Sequence, residues 1–244
     1  MSDILKRTII KEELTSKYLD APRQVKVYLP PGFNDMLSYP VIYCQDGNEF
    51  FTMGRIATIA NRLILEEGME PMIIVGVSNE RSKRTSEYSH VGERNPGYKR
   101  FFAEELVPYI EDKYPIRQDP DSRILAGDSL GGTVSFHLAL DYPHLFHKII
   151  SLSGAFFDAS IDEAEKTTDL SWMHMWMIVG LEELQVETST GIYDFLDYNQ
   201  RMKSVLDRKQ ARIAYIEDHG DHVWGFWQRV LPDALKYFFP ISGL

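Results

Sequence analysis

Short apolar runs alternate with amphipathic stretches along most of this chain. Runs of consecutive apolar residues predict buried strands. They occur at residues 40–44, 72–77, 122–127, 148–153, 172–179 and 212–216. Apolar residues at helical spacing predict helices between most of these strands. Those helices cover residues 55–67, 98–114, 131–142, 192–208 and 224–239. Two earlier segments, residues 7–13 and 24–29, alternate in polarity as paired antiparallel strands do.

The alternation of strands and helices predicts an α/β fold. Its central sheet would be mostly parallel and flanked by helices, with antiparallel strands at the N-terminal edge. The sequence shows neither an internal repeat nor a linker, so we expect residues 1–244 to form a single domain. Residues 154–171 lack a clear period, and we expect a small cap or substrate loop there. Pro108 either kinks its predicted helix or opens a new first turn, and Pro232 predicts a break in the last helix.

The composition narrows the class of protein. The 26 Lys and Arg residues against 36 Asp and Glu residues give a net charge of −10, whereas a nucleic-acid binder shows a basic patch. Cys44 is the only cysteine, so neither an intrachain disulfide nor a cysteine zinc cluster is expected. The N-terminus shows no secretion signal, and no run of about 18 apolar residues occurs. We therefore expect a cytoplasmic protein without nucleic-acid or membrane partners.

A glycine-rich turn follows the predicted strand at residues 122–127 and leads into a helix. Residues 127–132 read Gly-Asp-Ser-Leu-Gly-Gly, which is the G-x-S-x-G pattern in the strand–turn–helix context that it requires. Glycines on both sides of the serine allow the sharp turn. The serine is then presented at a helix N-terminus, where free N–H groups favour negative charge. We identify Ser129 as the candidate nucleophile of an α/β-hydrolase fold.

A nucleophilic serine needs a base, and the chain order in this fold is serine, acid, histidine. Two histidines, His219 and His222, follow the last predicted strand. We favour His222, because it stands where the loop ends and the helix begins. The two histidines with Asp218 and Asp221 would also suit a metal site, but no second cluster of histidines and carboxylates supports that reading. We expect no metal and no other cofactor.

The acid should follow the strand that ends near Gly180, because ligands gather at the carboxyl ends of strands in open α/β sheets. Glu182 and Glu183 are adjacent there. The role of the acid is to hold the imidazole tautomer and to stabilise the imidazolium. We choose Glu183 and keep Glu182 and Asp194 as alternatives.

Several stretches carry a resemblance to a known family. They are residues 29–33 (Leu-Pro-Pro-Gly-Phe), 39–43 (Tyr-Pro-Val-Ile-Tyr), 46–47 (Asp-Gly), 127–132 and 220–222 (Gly-Asp-His), with Trp224 and Trp227 after them. Over nearly its whole length the chain resembles the esterases that include esterase D, enterochelin and bacillibactin trilactone esterases, feruloyl esterases and mycolyltransferases. The resemblance implies an α/β-hydrolase fold with Ser129 and His222 as catalytic residues. It places the acid at Glu183, where the family more often has aspartate.

The resemblance also implies further site residues. An oxyanion hole needs two backbone donors. One is the N–H of Leu130, after the nucleophile, and the other is that of Asn48, after the Asp-Gly pair. Arg81 and Arg84 resemble the arginine-rich segment of the family and are candidates for contacts with an acyl or carboxylate group. A solvated charged loop is an equally good interpretation of these two arginines.

These features together predict a serine carboxylic ester hydrolase that works through an acyl-enzyme. Its partner would be a small-molecule ester, for which a simple carboxylester, a feruloyl or acetyl sugar ester and a siderophore trilactone are open alternatives. An acyltransferase with the same triad and a non-catalytic relative of the fold are the other readings. A homodimer is compatible with the sequence, which does not determine the oligomeric state.

Overall fold

The computed structural model describes residues 7–241. The strands within this range are β1 (Thr8–Leu14), β2 (Arg23–Leu29), β3 (Val41–Cys44), β4 (Ile73–Val77), β5 (Arg123–Asp128), β6 (Lys148–Leu152), β7 (His174–Gly180), β8 (Val186–Thr188), β9 (Gly191–Tyr193) and β10 (Arg212–Asp218). The helices are α1 (Gly47–Thr52), α2 (Ile56–Glu67), α3 (Arg84–Tyr88), α4 (Asn95–Arg100), the π-helical segment π1 (Phe101–Leu106), α5 (Val107–Lys113), α6 (Leu130–Asp141), α7 (Asp158–Lys166), α8 (Phe195–Arg208) and α9 (Trp224–Phe238).

Eight of the strands form one sheet in the order β1-β2-β4-β3-β5-β6-β7-β10. Within this sheet the neighbouring strands β4, β3, β5, β6, β7 and β10 pair in parallel. At the other end of the sheet, β1 pairs with β2 and β2 pairs with β4 in antiparallel fashion. The predicted mostly parallel sheet with antiparallel strands at its N-terminal edge is therefore confirmed. Strands β8 and β9 form a separate antiparallel hairpin.

Strand β3 shows how the sheet is buried on both faces. Val41 and Tyr43 belong to the apolar cluster that α5, α6, α7 and α8 cover. Ile42 and Cys44 belong to the cluster on the opposite face, under α1, α2 and α9. Successive residues of a strand point to opposite faces, so a parallel strand covered on both sides must be apolar at every position. The thiol of Cys44 is fully buried and burial raises its pKa.

The two prolines within predicted helices have different outcomes. Pro108 lies in the first turn of α5, directly after π1. Of the two predicted alternatives, the structure therefore has the one in which Pro108 opens a new first turn. Proline has no N–H to donate and its ring crowds the preceding turn, and the wider π turn before it relieves both constraints. Pro232 lies inside α9, which continues unbroken to Phe238, so the predicted break is absent.

The structure also contains elements that the hydrophobic pattern did not predict. Helix α7 lies within residues 154–171, and its Ile161 and Ala164 pack into the same core as α8. The cap or substrate loop expected in this segment stays a prediction. Helix α8 begins at Phe195 rather than at residue 192, because the side chain of Asp194 accepts a hydrogen bond from the N–H of Asp197 and caps the helix there.

A search of residues 7–241 for membrane spans finds no helix with the length and apolar character that a crossing requires.

Candidate active site

Ser129 occupies the sharp turn between β5 and α6. Its backbone has φ 52° and ψ −122°, a conformation that side-chain-bearing residues rarely adopt. The turn is held in place because the Ser129 N–H donates to the carbonyl of Leu152, and its carbonyl accepts from the N–H of Ala155, each at 2.9 Å. A Cβ on Gly127 would lie 2.1 Å from the carbonyl carbon of Gly131. Only glycine therefore lets the strand and the helix approach this closely.

Glu183 and His222 lie within hydrogen-bonding distance, although 39 positions separate them in the chain. Glu183 follows the end of β7 and His222 follows the end of β10. The Nδ1 of His222 is 2.6 Å from the Oε2 of Glu183. Glu183 is fully buried, while the His222 side chain is 12% exposed. Because Nδ1 is engaged by the carboxylate, Nε2 is the ring nitrogen left to act on another group.

The second carboxylate oxygen of Glu183 is also occupied. Its Oε1 accepts hydrogen bonds from the Ser153 hydroxyl at 2.6 Å and from the Gly180 N–H at 2.8 Å. The indole N–H of Trp227 donates in turn to the Ser153 oxygen at 2.9 Å. A buried charge is stable only when its hydrogen-bonding capacity is satisfied. These donors therefore satisfy the buried carboxylate of Glu183 and hold it in one position.

The two alternative acids occupy other positions. Glu182 is 2.9 Å from the Nδ1 of His219 and accepts from the Gly220 N–H at 2.6 Å. The hydrogen bond to Glu182 raises the pKa of His219, but this pair lies in solvent, because His219 is 84% exposed. Asp194 caps α8. Of the three candidate acids, Glu183 is the one that contacts His222.

Aromatic side chains surround the imidazole of His222. Its ring centroid lies 4.0 Å from that of Phe195 and 4.9 Å from that of Trp227, which meets it edge-on. The imidazole is therefore packed against an aromatic ring on two sides.

Ser129 and His222 line the same cavity, whose volume is about 550 Å³. The other lining residues are Asp46, Glu49, Met53, Asn79, Arg81, Arg84, Asp128, Trp224 and Trp227. Within residues 7–241, the structure shows no hydrogen bond from the Ser129 hydroxyl. That hydroxyl is therefore available to a molecule in the cavity.

The two predicted arginines differ in their surroundings. Arg84 donates from Nε and Nη2 to the Asp46 carboxylate at 2.9 and 2.6 Å. This ion pair raises the pKa of Arg84 despite its burial. Arg81 is exposed in the loop before α3. Both arginines line the cavity, but only the Arg84 guanidinium is fixed by an internal carboxylate.

The two predicted oxyanion donors stand at helix N-termini. Leu130 is the first residue of α6, and Asn48 lies in the first turn of α1. Neither backbone N–H has an acceptor within the described part of the chain. Neither residue is among those that line the cavity.

The sequence analysis missed several polar residues of this site, among them Asp46, Asp128 and Ser153. Asp46 and Asp128 line the cavity, and Ser153 orients Glu183. Asp46 belongs to the Asp-Gly pair after β3, and Asp128 belongs to the Gly-Asp-Ser-Leu-Gly turn at the end of β5. Because both strands were predicted, the position of these two residues at strand ends could have indicated that they belong to the site. Burial and the negative charge of Asp46 raise the pKa of Asp128 to about 8.

Comparison with known proteins gives a family match. The model of the "Putative esterase" family matches residues 16–238. "Uncharacterized protein YjcH" of Bacillus subtilis is 36% identical over 232 residues, which are 94% of this chain and 96% of that protein. "Acetyl esterase" of Caldicellulosiruptor saccharolyticus is 23% identical over 188 residues, covering 66% of this chain and 71% of that protein.

Solved structures share the fold. A ferulic acid esterase superposes with a TM-score of 0.82 at 21% identity, covering 98% of this chain and 99% of its own. Enterochelin esterase from Shigella flexneri superposes with a TM-score of 0.82 at 17% identity, covering 94% of this chain and 57% of its own. At these identities the likeness is one of fold.

Proposed function

Because this chain belongs to the Putative esterase family of carboxylic ester hydrolases, we propose that Ser129, His222 and Glu183 form its catalytic triad. The proposed substrate is a small carboxylic ester. The observation that carries this proposal is the 2.6 Å hydrogen bond between Glu183 and His222, on a histidine that shares a cavity with Ser129.

In the proposed reaction the Ser129 oxygen attacks the ester carbonyl carbon. His222 takes the hydroxyl proton on Nε2 as the bond forms. The tetrahedral intermediate then expels the alcohol, which receives that proton from His222, and an acyl-enzyme remains on Ser129. Water activated by the same imidazole attacks the acyl group, and collapse of the second intermediate releases the carboxylic acid and restores the serine.

Glu183 has two functions in this proposal. Its carboxylate fixes the proton of His222 on Nδ1, which leaves Nε2 as the acceptor that faces the reaction. It also stabilises the positive charge that the imidazole gains after proton transfer. The hydrogen bonds from Ser153 and Gly180 support both functions, because they hold the carboxylate in one position.

The oxyanion of each tetrahedral intermediate needs donors that already point at it. We assign these to the N–H groups of Leu130 and Asn48. Both groups lack an acceptor within residues 7–241. Ser129 directly precedes α6, and the N-terminus of a helix also favours negative charge.

The cavity supports a small molecule as the substrate. Its volume of about 550 Å³ falls within the usual range for small-molecule sites. The named relatives and structural neighbours include an acetyl esterase, a ferulic acid esterase and an enterochelin esterase. We therefore propose acetyl, feruloyl and catecholate trilactone esters as the classes to test. A cytoplasmic location and a homodimer stay predictions.

The proposal is tested by turnover of p-nitrophenyl acetate, methyl ferulate and a catecholate trilactone. Ser129→Ala should abolish turnover of whichever ester the wild type accepts, while its circular dichroism spectrum stays unchanged. Ser204→Ala, which removes an exposed hydroxyl on α8, is the matched control and should retain full activity. Unchanged turnover in the Ser129 variant would refute the proposed nucleophile.

A further inference from the structure

The N-terminal end of α8 carries two buried side chains that the proposed reaction does not use. Phe195 is 1% exposed and Asn199 is 0% exposed. Neither residue lines the cavity that Ser129 shares with His222. Their contacts nevertheless reach the chain segments of all three triad residues, so they connect parts of the site that are far apart in the sequence.

Helix α8 begins on the proposed acid. The backbone N–H groups of Phe195 and Leu196 both donate to the carbonyl of Glu183, at 2.9 and 3.3 Å. The first N–H groups of a helix have no partner within the helix, and this carbonyl accepts two of them. The side chain of Asp194 accepts a third, from Asp197. The backbone of Glu183 is therefore tied to the position of α8.

The side chain of Phe195 contacts the proposed base. Its ring centroid lies 4.0 Å from that of His222, with 41° between the two ring planes. At this distance carbon atoms of the two rings are in van der Waals contact. A rotation of the imidazole plane toward Phe195 is therefore opposed by a ring that is itself buried. One residue thus contacts both partners of the 2.6 Å hydrogen bond between Glu183 and His222.

The amide of Asn199 connects α8 to the segment that follows β6. Its Nδ2 donates to the carbonyl of Gly154 at 2.9 Å and to that of Phe195 at 2.8 Å. Both neighbours of Gly154 contact the triad. The hydroxyl of Ser153 donates to the carboxylate of the acid, and the N–H of Ala155 donates to the carbonyl of the nucleophile. Movement of this segment would therefore displace two catalytic residues together.

The ring of Phe195 also packs near the nucleophile. It forms a small apolar cluster with Ala155 and Val179, and Leu130, the residue after Ser129, packs against that cluster. The end of α8 therefore meets the segments of the acid, the base and the nucleophile. We propose that Phe195 and Asn199 are positioning residues that hold the three catalytic side chains in their reactive arrangement. This inference rests on the proposed function of the triad.

The first experiment removes the flat ring of Phe195 and keeps an apolar side chain. Phe195→Leu is assayed on whichever of the three proposed esters wild type hydrolyses, with kcat referred to the folded fraction. We expect kcat to fall about tenfold or more, because misplacing a catalytic group by about 1 Å can cost about 10²-fold. The KM should stay within about twofold, since Phe195 does not line the cavity. Phe195→Tyr, which keeps the ring, should recover most of the lost kcat.

Phe146→Leu is the matched control for a general loss of packing. Phe146 is also fully buried and packs against the rings of Tyr43 and Phe102, at centroid distances of 6.2 and 6.0 Å. Its free energy of unfolding in urea should fall by an amount similar to that of Phe195→Leu. Its kcat should match that of wild type, because these contacts do not reach the triad.

The second experiment removes the donor that connects α8 to Gly154. Asn199→Ala should lower kcat about tenfold and leave KM within about twofold. If both residues hold the same arrangement, Phe195→Leu combined with Asn199→Ala should lower kcat by less than the product of the two single effects. Phe195→Met, which fills the space with a flexible chain, replaces the leucine variant if that variant does not fold.

Several outcomes would overturn the inference. They are a kcat within twofold of wild type in Phe195→Leu, an equal fall in Phe146→Leu, and an effect confined to KM. An unchanged kcat in Asn199→Ala would overturn the role of that residue. Absence of turnover in wild type, or full turnover in Ser129→Ala, would refute the proposed function. An active wild type with an equally active Phe195→Leu would refute only the positioning role.

Discussion

Replacing Glu183 by glutamine removes one negative charge beside His222 and changes little else in shape. The carboxylate oxygen that it removes lies 2.6 Å from Nδ1 of the imidazole. The amide Nε2 of a glutamine there would donate a hydrogen bond, which forces Nδ1 to accept. The ring proton would then sit on Nε2, where it blocks proton transfer from Ser129.

The size of the effect follows from the lost attraction between carboxylate and imidazolium. Two unit charges about 4 Å apart attract by about 4 kcal/mol at an effective dielectric constant of about 20. Since about 1.4 kcal/mol corresponds to a factor of ten in rate, kcat should fall by roughly 10³-fold. The KM should change much less, because the charge on His222 develops only as the reaction proceeds.

The matched control is Glu182→Gln, which alters the adjacent carboxylate. Glu182 lies in solvent and contacts His219 rather than His222, so we expect a change in kcat of less than about twofold. Steady-state kinetics with p-nitrophenyl acetate measure both variants. A loss below about tenfold in Glu183→Gln, or a larger loss in Glu182→Gln, would refute the assignment of the acid.

Three further predictions follow from the same contacts. Gly127→Ala should lower the free energy of unfolding by about 3 kcal/mol or more in urea titrations, because its Cβ would overlap backbone. Gly225→Ala, whose Cβ meets nothing within 4 Å in α9, should instead gain about 0.5–1 kcal/mol, and equal losses would contradict the argument. Arg84→Leu leaves the buried Asp46 carboxylate without its ionic partner and should lower the free energy of unfolding by about 3 kcal/mol in urea titrations. An unchanged unfolding midpoint would contradict this prediction. Above about pH 8, Asp128 ionises in the wall of the cavity that Ser129 lines, and its charge would oppose the negative charge of the tetrahedral intermediate, so wild-type kcat/KM should fall there. The kcat/KM of Asp128→Asn should stay level over the same pH range. An equal fall in wild type and in this variant would refute the ionisation of Asp128 as the cause.

The sequence predicted the fold because each layer leaves a local pattern. The apolar run of β3 reflects a strand buried on both faces, and the glycines at 127–132 reflect a turn that tolerates no larger side chain at Gly127. The order of serine, acid and histidine then limited the candidates to short loops. Within those loops the sequence favoured Glu183 but kept Glu182 as an alternative, because which of the two points inward depends on the tertiary turn after β7.

Other features depend on contacts that no local pattern records. Asp46 and Arg84 meet because β3 ends beside the loop that leads into α3. Helix α7 has only 9 residues, with Ile161 and Ala164 as its main apolar contacts, so its period is too short to stand out. The burial of the Asp128 Oδ1 without a hydrogen-bond partner arises only in the folded chain.

Covalent trapping of the nucleophile tests the central claim most directly. The protein is treated with an alkyl fluorophosphonate, which phosphonylates activated serines, and the product is analysed by intact mass and peptide mapping. The account predicts a single adduct on Ser129 in wild type and its absence in Ser129→Ala, with labelling slowed in His222→Ala. An adduct on another residue, or equal labelling of the Ser129 variant, would contradict it.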